Sequence, residues 1–351
     1  MFIDKIYRLF STDLGIDLGT ANTLVAVRGQ GIVVSEPSVV AVHKGTKKVL
    51  NNGMAVGQVA KDMIGKCPGG IEVIRPMKMG VGDDFEIVEQ MLRYFIRRAL
   101  GERWHMFRPR VVIGVPTGID QLKAEKLIEH AELAGDREVF LIEEPLASAI
   151  GVGLPVTEPR PSMIVDIGGG TCEVAVLSLQ GIVQAESVPV AGDDFDRAIM
   201  AYVKEEHHLE IGQPMAERIK IELGNVYPLE EETEMEVRGT DEQSQKPRRI
   251  TLNSEEVRYS LDEPVGHILA AINMVLERIG PTMHADIIDM GITLAGGGAL
   301  LRGIDKRVVH ETGLPVKIGK NALTAVACGT AQIMESLDLY APSLRRSHKA
   351  A

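Results

Sequence analysis

Two segments of the chain set an aspartate and glycines at the end of an apolar run. The first is Leu14-Gly15-Ile16-Asp17-Leu18-Gly19-Thr20, continued by Ala21-Asn22-Thr23. The second is Met163-Ile164-Val165-Asp166-Ile167-Gly168-Gly169-Gly170-Thr171. Each leads into a Val-Ala-Val run, and Gln30-Gly31-Ile32-Val33 recurs as Gln180-Gly181-Ile182-Val183. Converging backbone N–H donors bind phosphate, and glycine lets the backbone approach without a Cβ. The two aspartates are placed to hold Mg²⁺ through water, since that ion keeps much of its hydration shell. A third glycine turn, Gly296-Gly297-Gly298, follows Ile292-Thr293-Leu294-Ala295. Neither G-x-x-x-x-G-K-[ST] nor G-x-G-x-x-G is present, so the expected grip on a nucleotide is a clamp of hairpins from two halves.

Hydrolysis requires a group that places water in line with the terminal phosphate. Glu144 stands between an apolar strand and a helix opened by Pro145, and Thr171 carries a hydroxyl on the second turn. From the residues alone, Glu143 and Glu144 serve equally well as complements to that helix's N-terminal dipole. Thr171 serves equally well to satisfy a nearby backbone group.

The elements that must position these groups follow from pattern. A hairpin is expected after each aspartate turn, with its own turn at Gly29 or Gly181. Apolar residues at 87, 88, 91, 92 and 95 predict a helix over 85–100, capped by Asp83 or Asp84. A buried strand at 111–115, a helix over 119–134 stopped by Gly135, a strand at 139–142 and the Pro145 helix come next. The second half adds a helix over 264–279 and a strand at 292–294. Alternating strands and helices are the grammar of a layered α/β domain. Residues 230–249, with five glutamates over 230–236 and then a Gln/Lys/Arg-rich stretch, read as a hairpin with a mobile loop on a peripheral insertion.

The chain has 351 residues, enough for two domains with cores. Its net charge of -11 argues against a nucleic-acid binder. Cys67, Cys172 and Cys328 are scattered, which excludes a disulfide scaffold or zinc ribbon and fits a reducing cytoplasm. No apolar run reaches the ~18 residues of a membrane span, and no signal peptide is evident.

Taken together, these motifs resemble the actin, heat-shock-chaperone and sugar-kinase ATPase superfamily, and within it the bacterial actins, over nearly the whole chain. Asp17 to Thr23 looks like the first phosphate motif, and Gly31 to Val40 follows it as in the bacterial branch. Ile142-Glu143-Glu144-Pro145 with Ala147-Ser148-Ala149-Ile150-Gly151 resembles the segment carrying the hydrolytic glutamate, which favours Glu144. Asp166 to Thr171 resembles the second phosphate motif, and Leu294 to Gly303 the adenosine motif. Ala216-Glu217-Arg218-Ile219-Lys220 resembles the helix whose Glu and Lys contact ribose and adenine. Cys172 departs from the threonine usual there.

The resemblance implies an actin-like fold: two duplicated ribonuclease-H-like domains, each with a smaller insertion, and the nucleotide in the interdomain cleft. Domain I would be 1–155 plus 321–351, with an insertion near 33–77. Domain II would be 156–320, with an insertion near 192–256. ATP and Mg²⁺ are the implied ligands. Asp17, Gly19, Thr20, Ala21, Asn22, Asp166, Gly168, Gly169, Gly170, Glu217, Lys220, Gly296, Gly297, Gly298 and Ala299 would bind nucleotide. Asp17 and Asp166 would hold the metal through water, and Glu144 and Thr171 would be catalytic. The implied function is a cytoplasmic filament protein of rod-shape control, with hydrolysis slow and tied to turnover. Its implied partners are itself, in paired protofilaments, and membrane proteins of cell elongation.

Phe2, Ile3, Ile6, Leu9 and Phe10 share one side of a helix flanked by Lys5 and Arg8. Trp104, Met106 and Phe107 lie in a stretch, 97–110, with five arginines and one glutamate. Aromatics among arginines suit an anionic headgroup layer, although Phe2–Phe10 could equally pack on the body and Trp104 plug a core. Since bacterial actins bind membrane through such an N-terminus or loop, the expectation is attachment to the inner face of the cell membrane. A small-molecule kinase and a chaperone-type ATPase are the alternatives. The first would need a carboxylate base with polar sugar-binding groups, and the second a substrate domain after the clamp. Neither feature is found.

Overall fold

The computed structural model describes residues 13–78, 80–101 and 108–346, with backbone only at Val81. The membrane candidates Phe2, Ile3, Ile6, Leu9, Phe10, Trp104, Met106 and Phe107 lie outside the described residues. Contacts divide the chain into two compact units. One is Met1–Pro159, Leu177–Ile182 and Thr324–Ala351; the other is Arg160–Val176 and Val183–Leu323.

The first unit begins with antiparallel β1 (Leu14–Leu18), β2 (Asn22–Val27) and β3 (Gly31–Pro37). Leu14, Ile16 and Leu18 are buried in one core, and the two-residue period of the strand sends Asp17 to the other face. The β2–β3 turn falls at Gly29, where φ is +74°. β4 (Val40–His43) pairs with β5 (Ile71–Ile74) in a separate sheet, and β6 (Met77–Lys78) pairs with β7 (Val81–Gly82). α1 (Phe85–Leu100) buries the expected apolar stripe, and its cap is Asp84, whose Oδ1 accepts from Glu86 N at 3.1 Å. β8 (Arg110–Val115) lies parallel to β1. α2 (Gln121–Ala134) is capped by Asp120, which accepts from the Leu122 and Lys123 amides, and it ends at Gly135 with φ +129°. β9 (Glu138–Glu143) runs parallel to β8 and passes directly into α3 (Glu144–Gly151).

The second unit repeats the opening with β10 (Ser162–Ile167), β11 (Cys172–Ser178) and β12 (Gly181–Val188), except that the end of the β11–β12 hairpin, Leu177–Ile182, groups with the first unit. The β11–β12 turn is not at Gly181 as expected. Leu179 and Gln180 make it, with φ of +50° and +64°, so two side-chain-bearing residues occupy the left-handed positions. Next come α4 (Gly192–His207), β13 (Leu209–Glu210), α5 (Gln213–Leu223), β14 (Glu234–Asp241) and β15 (Pro247–Asn253). β13, β14 and β15 form one small sheet. The hairpin expected over 230–249 is therefore present. Asp241 closes its loop by accepting from Ser244 N at 2.8 Å and Arg248 at 2.6 Å. α6 (Ser254–Ser260), α7 (Asp262–Arg278), α8 (Pro281–Met290), β16 (Ile292–Ala295), α9 (Ile304–Thr312) and β17 (Val316–Ile318) complete the unit. Its sheet has the order β12-β11-β10-β16-β17.

The chain then returns to the first unit with α10 (Ala325–Glu335) and β18 (Arg345–Arg346). β18 pairs antiparallel with β9, giving the order β18-β9-β8-β1-β2-β3. In each sheet the aspartate-bearing strand lies centrally, between its own hairpin and parallel neighbours. α10 crosses α3 backbone to backbone. A Cβ on Gly151 would meet the Ala325 carbonyl oxygen at 1.9 Å, and one on Gly329 would meet that of Ala147 at 1.8 Å. Only glycine permits this approach.

Candidate functional site

In the first unit the Asp17 turn is shaped by its neighbours. A Cβ on Gly19 would stand 2.7 Å from the Asn22 carbonyl oxygen and 3.5 Å from Asp17 Oδ1. No larger residue fits, and the Asp17 carboxylate is turned toward the glycine. Ser38 braces the turn from behind. Its hydroxyl donates to the Gly19 carbonyl at 2.6 Å, and its amide donates to the Ala21 carbonyl at 3.0 Å. Because that hydroxyl has one proton, the buried Thr23 hydroxyl, 2.8 Å away, must be the donor to Ser38 Oγ. Thr20 Oγ1 accepts from Gly80 N at 3.0 Å, which ties the turn to the residues after β6. Asn22 is exposed at the start of β2.

Glu144 comes to the same edge of this sheet. Its Cγ lies 3.4 Å from where a Cβ on Gly114 would be, and that Cβ would also be 3.9 Å from the Ile16 carbonyl oxygen. The glycine thus makes room for the glutamate stem one residue from Asp17. Glu143 points elsewhere, and its Oε1 accepts from Gly118 N at 3.1 Å, fixing the loop after β8. The two adjacent glutamates are therefore distinguished by their surroundings.

The second unit draws its motifs together more tightly. The Asp166 turn is closed by Gly168 N donating to the Thr171 carbonyl at 2.9 Å. The start of α4 caps the turn from outside: Gly192 N donates to Gly168 O at 3.2 Å and Asp193 N to Gly169 O at 2.7 Å. Thr171 is largely buried. Cys172 is fully buried, and that burial pushes its thiol well above the usual range, so it stays neutral.

The third glycine turn packs on the second phosphate turn. Gly296 has φ +78°, and a Cβ there would lie 2.3 Å from Ile167 O and 2.4 Å from Asp166 Oδ1. A Cβ on Gly298 would lie 2.3 Å from Ile167 Cγ2. Gly297 is exposed and Ala299 buried. α5 joins the same group at its C-terminal end, where a Cβ on Gly224 would be 2.9 Å from Leu301 Cδ1. Val226 N donates to Arg302 O at 2.9 Å, and the Arg302 guanidinium donates to Glu222 O. α5, whose C-terminal end packs on Leu301 and Arg302 after the third glycine turn, carries Glu217 and Lys220 one turn apart. Lys220 Nζ donates to Gly192 O at 2.8 Å and lies 2.8 Å from Asp196 Oδ1. Burial pushes the Asp196 carboxyl up from its ordinary value, while Lys220 opposes that shift.

The MreB/Mbl protein family matches residues 11–341. The chain belongs to that family. It is 48% identical over 342 residues to the cell shape-determining protein MreB of Escherichia coli, covering 97% of this chain and 99% of that one. It is 45% identical over 330 residues to the cell shape-determining protein Mbl of Bacillus subtilis, covering 94% and 98%. Among solved structures, MreB 5 of Spiroplasma citri bound to AMPPNP superposes with a TM-score of 0.87 at 35% identity, covering 93% of this chain and 97% of that one. The same protein bound to ADP gives 0.88 at 34% identity. A MamK double helical filament gives 0.77 at 23% identity, a likeness of fold. The MreB/Mbl chain described here has the actin-like α/β fold.

Sequence reasoning did not single out Ser38, Gly192 or Asp196. Each acts through a partner 19 to 28 residues away, which no local spacing announces. Among the described residues no helix is long and apolar enough to cross a membrane. Nor do three His, Cys, Asp or Glu side chains group there as a metal cage.

Proposed function

We propose that this chain binds Mg-ATP and assembles into membrane-associated filaments that direct cell-wall synthesis and maintain rod shape, with slow hydrolysis to ADP and phosphate timing their turnover. The observation that carries the nucleotide reading is the packing of Gly296 and Gly298 onto Asp166–Ile167, with the end of α5 against Leu301. With the start of α4, whose Gly192 and Asp193 amides donate to Gly168 O and Gly169 O, four sequence-distant segments meet around the Asp166 turn, the surface a phosphate and its nucleoside require.

Asp17, Gly19, Thr20, Ala21 and Asn22 would receive phosphates on the first unit, and Asp166 and Gly168 to Thr171 on the second. Glu217, Lys220 and Gly296 to Ala299 would take the nucleoside. The two units would correspond to domains 1–155 plus 321–351 and 156–320. Asp17 and Asp166 offer oxygen donors, the hard ligands Mg²⁺ prefers, and two carboxylates suit an ion that keeps its waters. Bound there, Mg²⁺ would neutralise charge on the phosphates. Glu144 would accept a hydrogen bond from the attacking water and orient it, with the Thr171 hydroxyl as second partner. The similar structures are of MreB 5 bound to AMPPNP or ADP and of a MamK double helical filament, which supports nucleotide binding and self-association here.

Phe2, Ile3, Ile6, Leu9, Phe10, Trp104, Met106 and Phe107 would hold the filament on the inner face of the cell membrane, beside membrane proteins of the elongation machinery. Electron microscopy of the purified chain on an anionic lipid monolayer tests this reading. Filaments on the lipid that depend on Mg-ATP are expected; persistent monomers under those conditions overturn it. In liposome flotation the chain should rise with anionic vesicles. Unchanged flotation after deleting residues 2–10 and introducing Trp104→Ser with Phe107→Ser would remove the membrane assignment.

A further inference from the structure

Lys220 is held from two sides. Its ammonium has three N–H donors; one is spent on the Gly192 carbonyl and one faces Asp196, each at 2.8 Å. The third is left for another acceptor. Asp196 is almost wholly buried on α4. A buried ion pair adds little net stability, because removing both charges from water costs about what their attraction returns. Its presence here calls for a role besides holding α4 to α5.

Gly192 gives that role a direction. Its N–H donates to Gly168 O and its carbonyl accepts from Lys220, while the next N–H, of Asp193, donates to Gly169 O. A Cβ on Gly192 would stand 3.3 Å from Gly168 O and 3.5 Å from Lys220 Nζ. One peptide unit therefore separates the lysine from the phosphate turn, with no side chain between them to absorb movement.

We propose that Asp196 is a positioning residue: it aims the remaining donor of Lys220 at the nucleoside and, through Gly192, couples that contact to the turn at Gly168–Gly170. The inference rests on the reading that the second unit binds a nucleotide. A lysine stem is flexible, and ordering it on binding costs affinity; Asp196 orders it beforehand. Bracing the Gly192 peptide also fixes the carbonyls that α4 draws away from the phosphates.

A double-mutant cycle on the full chain, read as the affinity for ATP with Mg²⁺, tests this. Asp196→Asn keeps the side chain's size and removes its charge, and should weaken ATP about tenfold. In a Lys220→Met background the same change should alter affinity by less than about twofold. Amide hydrogens of 166–171 should exchange faster in Asp196→Asn while the melting midpoint stays within a few degrees. An equal loss in both backgrounds makes Asp196 a structural residue and overturns the proposal, as does wild-type affinity in folded Asp196→Asn. Gly192→Ala provides a second arm if Asp196→Asn does not fold. It should weaken ATP several-fold only when Lys220 is present, and an effect independent of Lys220 counts against the coupling. Failure of the wild-type chain to bind ATP would instead defeat the nucleotide reading beneath it.

Discussion

Gly296 lies against Asp166 so closely that a methyl group on the glycine would stand 2.4 Å from the Asp166 Oδ1 atom. The glycine also has φ +78°, where a side chain costs about 1–2 kcal/mol before any clash. Gly296→Ala should therefore displace both the third turn and the Asp166 carboxylate. We expect a melting midpoint lowered by several degrees and ATP affinity reduced more than tenfold, read by calorimetry and by titration. Unchanged binding in a folded Gly296→Ala protein would place the nucleotide elsewhere.

Glu144 and Glu143 are adjacent but differently placed. Glu144→Gln should bind ATP as the wild type does while releasing phosphate about a hundredfold more slowly, the loss of a water-orienting carboxylate. Glu143→Gln keeps an oxygen acceptor for Gly118 N and should release phosphate at close to the wild-type rate. A phosphate-release assay on both variants checks the assignment, and a reversed order would exchange the two roles.

Ser38 connects Thr23 to the Gly19 carbonyl through one hydroxyl. Ser38→Ala leaves a buried threonine hydroxyl and a backbone carbonyl without that partner, at a cost of about 1–3 kcal/mol. Denaturant unfolding should show this loss, and ATP should bind more weakly because the Asp17 turn is less fixed. Ser38→Thr keeps the hydroxyl and should recover part of both.

Asp136 follows α2 with both carboxylate oxygens buried and without a hydrogen-bond donor. Burial, and secondarily Glu132, push its carboxyl well above the usual range. The folded protein thus holds this proton more tightly than the unfolded chain does. The penalty is absent below the ordinary carboxylate pKa of about 4, grows as pH rises toward the raised value, and is constant above it. Asp136→Ala should stabilise the protein at neutral pH by about 1–3 kcal/mol, and the gain should shrink toward pH 4. Urea midpoints of both proteins across this range provide the measurement.

Much of the fold was legible from local pattern, because burial repeats at the period of each element. The 85–100 stripe, the Asp84 and Asp120 caps and the stop at Gly135 depend on neighbours within a turn of helix. The aspartate turns could be read for the same reason. The Leu179–Gln180 turn could not, since its left-handed residues carry side chains and a glycine follows them. Ser38, Gly192 and Asp196 were hidden because their partners come from other strands and helices. In sequence only the family resemblance favoured Glu144 for the hydrolytic role; Gly118 and Gly114, which give it and Glu143 different surroundings, belong to another strand and its loop.

The glycine-to-alanine crossing of α3 and α10 has a mechanical consequence. With no side chains between the two backbones, the joint transmits displacement rather than cushioning it. Glu144 is the first residue of α3, and β18, shortly after α10, zips onto the strand that feeds it. The C-terminal segment is thus a lever on the candidate hydrolytic group from two attachment points. A bulky fusion or a tether at that end would load the lever, so a reporter placed there would alter the turnover it was meant to observe.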